Sequence, residues 1–427
     1  MKLTVFQSDK GDCLLIEGSN GTTLLADGGM AASYSKHVAP SMNRLRKAGR
    51  SLDLVYVSHI DADHIAGILQ MMDDEVGWRV YEHQQAQGNP KASKLKPKSP
   101  RPPAVRAVWH NAFHDQIQKN RGALEELFIA SMKTNLLAEE LRENLERLDD
   151  LMTSERQALL LRHRLSAKQL GIPVNGPSAG HLMFIGQGAT VNNPIALGEL
   201  TITVVGPRNE ELENLRKRWN DWIRDNEEAI RRIREQAREE AERLHADEAR
   251  SFQAALGSLA QQLGDRRNVS VPNLASLMLV VEDAGKSLLL TGDSHPDDIR
   301  AGLELDGRLD ATGRAHFDVI KFQHHGSKNN VDEDFCAKIT ADHYVFCGDG
   351  GHHNPHLDAV DMLIRGRRQA SSRPFKLWFN SSEAVTHDSR KAHMRKLEDR
   401  VATRAAASGG QLRYRFLRRG SKLTLNA

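Results

Sequence analysis

Cysteine is scarce: the 427 residues hold three, Cys13, Cys336 and Cys347. They are too few and too scattered for a disulfide framework or a Cys-rich zinc module. Their scarcity fits a reducing compartment. No apolar run approaches the roughly 18 residues that a membrane-spanning helix needs. The opening segment, MKLTVFQSDKGDCLLIEG, lacks an apolar core of signal-peptide length, and charges interrupt it early. These absences predict a cytoplasmic protein with no membrane segment. An excess of one charge sign is also missing. Lys+Arg 59 against Asp+Glu 56 leaves +3, which argues against a whole-chain polyanion binder but not against a local basic groove. With 39 % apolar and 27 % charged residues, the chain can bury a core and is not globally disordered. At about 150 residues per domain, the length predicts two to three domains, or one large domain with long insertions.

The first hundred residues read as strands. LTVFQ, CLLIEG and TTLLADGG are short apolar or β-branched runs divided by Asp, Lys, Gly, Ser and Asn. LDLVYVSH is a continuous apolar run of the kind buried on both faces of a sheet, and it ends at His59. Ile65, Ile68, Leu69 and Met72 then follow helical spacing. Residues 84–103 are rich in Pro, Lys, Ser and Gly and predict an exposed basic loop. AVRAVWH is a strand ending at His110. Helical patterns fill about 115–170 and 209–263, the second dense in Glu and Arg at i, i+4. LTITVVGP between them is a strand. Strand patterns resume after 270 in LASLMLVVEDAG, KSLLLTGD, FDVIKFQHHG, DHYVFCGDG, FKLWFN and LRYRFLRR, with a helix at about 389–404. The predicted organisation is 1–115 and 269–427 as two β-rich halves, 116–195 and 209–268 as helical insertions, and 196–208 as a returning strand.

The densest chemical signal is Ser58-His59-Ile60-Asp61-Ala62-Asp63-His64, which places four metal-ligand candidates within six residues of a strand-to-helix loop. A regular strand would send alternate ligands to opposite faces, whereas a loop can gather them. The alternative is a helix N-cap, but a cap needs one carboxylate. Thr291-Gly292-Asp293, Gln323-His324-His325-Gly326-Ser327, His110, and the loop Gly350-Gly351-His352-His353-Asn354-Pro355-His356 are weaker alone. His59, His110, Asp293 and His324 share a position, the C-terminal end of a predicted strand, and in layered α/β folds such ends converge on one rim.

LLADGG, HIDADH, TGD and HHGS together resemble the metallo-β-lactamase fold, and within it the hydrolase domain of the competence DNA-uptake protein ComEC and its stand-alone relatives. The resemblance covers roughly 1–115 and 195–365. It implies an α/β fold, a four-layer αββα sandwich with a large, mostly helical insertion. It also implies two divalent ions, zinc or manganese with magnesium as a further choice. His59, Asp61 and His110 would hold one ion, with His181 competing for the place of His110. Asp63, His64 and one histidine of the 324–325 pair, with His324 favoured, would hold the other. Asp293 would bridge, and Asp27 would orient ligands from beneath. Most of that superfamily carries a histidine where this chain has Asp61. A carboxylate there makes the site harder and shifts preference from zinc toward manganese or magnesium.

A metal pair suits water activation and charge neutralisation during in-line displacement at phosphorus. Asp63 would orient the attacking hydroxide, and His325 or His353 would protonate or stabilise the leaving oxygen. The expected activity is a phosphodiesterase or nuclease on nucleic acid or nucleotide, with the basic segment 91–106 tracking a phosphate backbone. Two alternatives stand beside it. One is hydrolysis of a small carbonyl substrate such as a lactone or thioester. The other is a non-catalytic, metal-stabilised scaffold that forms a homo-oligomer through the helical stretch.

Overall fold

The computed structural model describes residues 1–111, 157–158, 160–213 and 276–426. Most of the helical stretches expected at 116–195 and 209–268 lies outside the described residues. Of the first, 160–165 is helical, and 171–194 runs through turns and a short 3-10 segment.

Strands β1 (Lys2–Phe6), β2 (Leu14–Glu17), β3 (Thr23–Ala26), β4 (Leu54–Tyr56) and β5 (Val108–Trp109) stand side by side in that order. The second sheet runs in chain order through β6 (Ile195–Leu197), β7 (Leu200–Gly206), β8 (Met278–Asp283), β9 (Lys286–Leu290), β10 (Ala315–Lys321), β11 (Ile339–Phe346), β12 (Phe375–Phe379) and β13 (Leu412–Phe416). The last strand, β14 (Lys422–Asn426), returns to the first sheet and pairs antiparallel with β1. Neither β14 nor the short β6 stands out in the sequence pattern. Pairing is parallel across β3–β4–β5 and from β9 to β13. Helices Pro296–Leu305, Glu333–Lys338, Leu357–Ala370 and Lys391–Ala406 make the crossovers between β9 and β13.

The layering follows from side-chain alternation. Leu3, Val5, Leu14, Ile16, Leu24, Leu54 and Tyr56 face inward and meet Ile202, Val204, Leu279, Val281, Leu288 and Val319 of the second sheet. The alternate residues Leu15, Leu25 and Val55 face outward and pack on Met42 of helix Ala39–Lys47 and on Ile65, Ile68 and Met72 of helix Ala62–Ala86. On the far side, Val280, Leu289, Ile320 and Tyr344 pack on Ile299, Leu303, Phe335, Leu363 and Leu397 of the four crossover helices. Three apolar layers thus separate four structural ones, giving an αββα sandwich. Among the described residues, no helix is long and apolar enough to cross a membrane.

One backbone crossing fixes the start of helix Ala62–Ala86. The Gly28 amide donates to the His64 carbonyl (2.8 Å), and the Gly67 amide donates to the Gly29 carbonyl (2.9 Å). A Cβ at Gly67 would lie 2.0 Å from the Gly28 oxygen, a backbone atom with no room to yield. Alanine ordinarily favours a helix interior by about 1 kcal/mol over glycine. Here the overlap dominates, and Gly67→Ala is expected to destabilise by about 1–3 kcal/mol. A urea midpoint that stays put or rises would show that the crossing is slack.

Candidate metal centre

The site forms where parallel strands end. β3 runs into Asp27, whose φ of 56° is left-handed, a conformation that costs a non-glycine residue roughly 1–3 kcal/mol. The carboxylate offsets that cost by accepting from the Ser58 amide (2.7 Å), the Ser58 hydroxyl (2.8 Å) and His64 Nδ1–H (2.9 Å). β4 leads to Ser58 and His59, both buried. Asp61 occupies the N-cap position of helix Ala62–Ala86 but makes no side-chain cap bond. Its Oδ2 lies 3.6 Å from His59 Nε2 instead, so capping does not account for it.

From the second sheet, β9 ends at Thr291-Gly292-Asp293, with Asp293 buried. β10 ends at Lys321, and after Phe322 and Gln323 come His324 and His325, both left-handed (φ 46° and 53°). Adjacent left-handed residues turn both imidazoles back toward Asp293.

Each of four histidines has its Nδ1 committed to an outer acceptor. His64 donates to Asp27 and His325 donates to Asp12 Oδ1 (3.0 Å). His324 donates to Asn330 Oδ1 (2.6 Å), whose orientation is set because Asn330 Nδ2 donates to the Asp293 carbonyl (3.0 Å). Ser58 spends its proton on Asp27, so its oxygen accepts from His59 Nδ1 (3.1 Å). The four Nε2 atoms therefore face inward. They lie 3.7 Å (His59), 3.6 Å (His64), 3.7 Å (His324) and 3.4 Å (His325) from the Asp293 carboxylate. Ligands held about 2.0–2.2 Å from one ion at tetrahedral angles stand about 3.4 Å apart. Three of the four spacings are too long for hydrogen bonds, and all are right for donors around a cation. His59 Nε2 and Asp293 Oδ1 are buried without a hydrogen-bond partner among the described residues, as donors awaiting an ion would be.

Side chains gather on two sides of Asp293. His59 and Asp61 stand on one side. On the other, Asp63 Oδ2 is 3.4 Å from His325 Nε2, and His64 Nε2 is 3.3 Å from His325 Nε2. Asp12, His64, Asp293 and His325 form a buried group that could hold a metal ion, with one ligand atom from each all within 4.8 Å of one another.

The electrostatics have one theme. Burial opposes charge on His64, but Asp293, Asp27 and Asp12 outweigh it and hold the imidazole well above its usual value. Burial likewise opposes charge on His325, and Asp293 and Asp12 hold it well above. Burial pushes the carboxyls of Asp63 and Asp293 up, yet the facing imidazoles hold both below the usual range. The same carboxylates that draw the imidazoles upward are drawn down by them.

The histidine packed against Asp63 and His64 is His325. The sequence pattern favours His324 as the strand-end residue, but the strand stops at Lys321 and the left-handed turn redirects both rings. His324 Nε2 faces Asp293 from the more open side, its side chain 24 % exposed. His110 is buried at the end of β5, next to β4, with its amide and carbonyl both bonded to the Asn175 side chain. His181 is exposed, which disfavours it as the competitor. His353 is also exposed, on a loop tied to the histidine turn by the His356 amide donating to the Gly326 carbonyl (3.0 Å). Sequence reasoning misses Asp12 and Lys321. Asp12 reads as a turn residue between β1 and β2. Lys321 carries a signal that could have found it: a cation inside the otherwise apolar run FDVIKF.

His64 and His325 sit above about 6.5, the value of an unfolded histidine. Their stabilising contribution is therefore complete below that pH and is lost as pH rises through their folded values. The depressed carboxyls of Asp12, Asp63 and Asp293 contribute above about 3.9 and lose it as pH falls through theirs. The metal-free chain should be most stable between these limits and weaken toward alkaline pH. A divalent ion bound by these imidazoles should displace protons from them. Titration calorimetry in buffers of different ionisation enthalpy reads this directly, and a buffer-independent heat would contradict it.

Residues 8–182 match the family model of the metallo-beta-lactamase superfamily, and the two-sheet sandwich with outer helices agrees with that fold. No curated protein matches the chain. A solved structure of a mutant of the CmlA beta-hydroxylase is similar over 99 % of this chain, at 10 % identity and a TM-score of 0.37. The chain spans 54 % of that protein's length. The stretch that carries Asp12, Asp27, His59, Asp61, Asp63, His64 and His110 is thus the stretch that matches the metallo-beta-lactamase superfamily.

Proposed function

We propose that the chain is a metal-dependent hydrolase acting on phosphodiesters of nucleic acids or nucleotides. The observation that carries this reading is the inward convergence of four Nε2 atoms on Asp293, each ring locked through its Nδ1. His59, Asp61 and Asp293, with His110 adjacent, are assigned to one divalent ion; Asp63, His64, His325 and Asp293 are assigned to the other. Divalent ions held there would supply Lewis-acid activation of water and neutralise charge building at phosphorus. Asp63, partly open to solvent, is placed to orient the attacking water. His324, more open to solvent and facing Asp293 without the Asp12 and Asp63 contacts of His325, is the residue left to contact substrate.

The mouth favours an anion. Lys10 acts on the Asp63 carboxylate from the rim. Lys328 is exposed beside the histidine turn. His353 and His356 on the adjoining loop cluster with His393 of helix Lys391–Ala406, the ring centres of His356 and His393 lying 6.4 Å and 5.4 Å from that of His353. Burial, then Lys328, His353 and His393, pushes His356 down to about 4, so it is neutral at pH 7. His353 is the residue assigned to meet a phosphate oxygen or protonate the leaving group. The basic loop at 84–103 does not serve this mouth. It folds back on helix Ala62–Ala86, with Ser99 bonded to Asp74 and Trp78. That contact lies roughly 20 Å along the helix from Asp63 at 1.5 Å per residue. Arg101 is engaged by Glu75 and Glu82.

The test is to incubate the chain with single- and double-stranded DNA, RNA and cyclic nucleotides in the presence of manganese, magnesium or zinc. Metal-dependent cleavage is expected. His59→Ala should reduce it by more than the roughly 100-fold that loss of an outer support can cost. Turnover of a lactone or thioester, with no phosphodiester cleaved, would replace the substrate assignment. Inertness toward all of them would remove the enzymatic one.

A further inference from the structure

Lys321 and Asp12 are both buried, their side chains 2 % and 1 % exposed, and they pair directly. The Lys321 ammonium also donates to the Gly292 carbonyl (3.1 Å) and lies 3.6 Å from Asp293 Oδ1. Asp12 stands on the outer side of the histidines. It meets His325 and His64 at their Nδ1 atoms (3.0 and 3.7 Å), whereas Asp63 and Asp293 meet the same rings at Nε2. The Asp12 amide donates to the Asp63 carbonyl (3.2 Å), so its loop is fastened to the helix that carries Asp63 and His64. A Cβ at Gly11 would lie 1.7 Å from that carbonyl, so the close approach needs a residue without a side chain.

We propose that Asp12 and Lys321 form a positioning pair for the second half-site: Asp12 holds His325 by its Nδ1 so that Nε2 faces the ion, and Lys321 holds Asp12 out of the coordination sphere. The proposal rests on the metal reading above and adds to it two residues that contribute no metal ligand. The chemistry calls for such a pair. A carboxylate on the far nitrogen of a ligating histidine fixes its tautomer and ring angle and raises its basicity. A bare carboxylate this close to a divalent cation would swing in as a ligand, and an ammonium bonded to its other oxygen opposes that. Buried, each partner also needs the other, because removing one leaves an unbalanced charge.

The test removes both charges at once and reads metal binding, not turnover. Asp12→Asn combined with Lys321→Met keeps the interior neutral. This double variant is expected to bind as many manganese ions at saturation as the wild type, with affinity 10- to 100-fold weaker by calorimetric titration. Lys321→Arg, which keeps charge and reach, should stay within a few-fold of wild type. Loss of one bound ion would make Asp12 a ligand and overturn the proposal. So would unchanged affinity, which would make the pair purely structural. If the double variant fails to fold, Asp12→Asn alone decides by the same two readings, since the amide oxygen still accepts from His325 but carries no charge. A wild-type chain that binds no manganese would sink the metal reading itself, an outcome distinct from either of these.

Discussion

Concentrated buried negative charge is the constraint around which this end of the sandwich is built. Asp12, Asp27 and Asp293 are buried, and Asp61 and Asp63 border them. Among the described residues, the buried cation that meets them directly is the ammonium of Lys321. Unpaired charges in an interior are costly, and the residual charge must be met by protons on the imidazoles or by added cations. A bound divalent cation would offset part of it while the histidines return to the neutral form that ligates. Protonation of His64 and His325 and metal binding are thus two solutions of the same electrostatic problem.

The fold supplies the rigidity that such a cluster needs. Ligand donors arrive from the ends of β3 and β4 in one sheet and β9 and β10 in the other, and the sheets are pinned together beside the site. The Leu277 amide donates to the Ser58 carbonyl (2.7 Å), and the Tyr56 hydroxyl bonds the Leu277 carbonyl. Three non-glycine residues at the site, Asp27, His324 and His325, hold left-handed backbones at roughly 1–3 kcal/mol each. They persist because side-chain bonds over-determine them: Ser58 and His64 for Asp27, Asn330 for His324 and Asp12 for His325. Strain concentrated at the residues that face the cluster is what a site under geometric demand shows.

Residues with a periodic or compositional signature are legible in the sequence. The strand runs that carry β1 to β5 and β7 to β13 read correctly because continuous or alternating apolar runs report burial between layers. The HIDADH loop stands out because no structural role needs that many ligands together. Other features stay hidden for physical reasons. β14 has a short alternating pattern, KLTLN, whose pairing with β1 depends on the whole chain having folded. The crossover helices Pro296–Leu305 and Leu357–Ala370 are amphipathic segments between strong strands, and the strand signal on either side masks them. The preference between His324 and His325 cannot be settled from the order of residues, because it is set by two left-handed dihedrals. Asp12 gains its meaning only from Lys321, 309 positions away in sequence and adjacent in space.

Asp61 shows how the site and the scaffold compete for one side chain. It occupies the N-cap of a 25-residue helix, where an aspartate that bonds the first-turn amides typically contributes about 1 kcal/mol. That bond is absent, and the carboxylate is turned toward His59. The helix forgoes its cap, and its register is held by the glycine crossing at Gly28 and Gly67, a backbone feature that leaves the N-cap side chain free. A histidine at position 61 could cap too, as His295 does by accepting from the Asp297 amide through Nδ1 (3.3 Å), so the conflict would arise there as well. An aspartate there accepts it, and in return brings a hard, anionic oxygen to the half-site that also contains His59. Oxygen donors of that kind suit hard cations better than thiophilic ones, so the side chain that gives up the cap is also one that bears on which cation the cluster could hold.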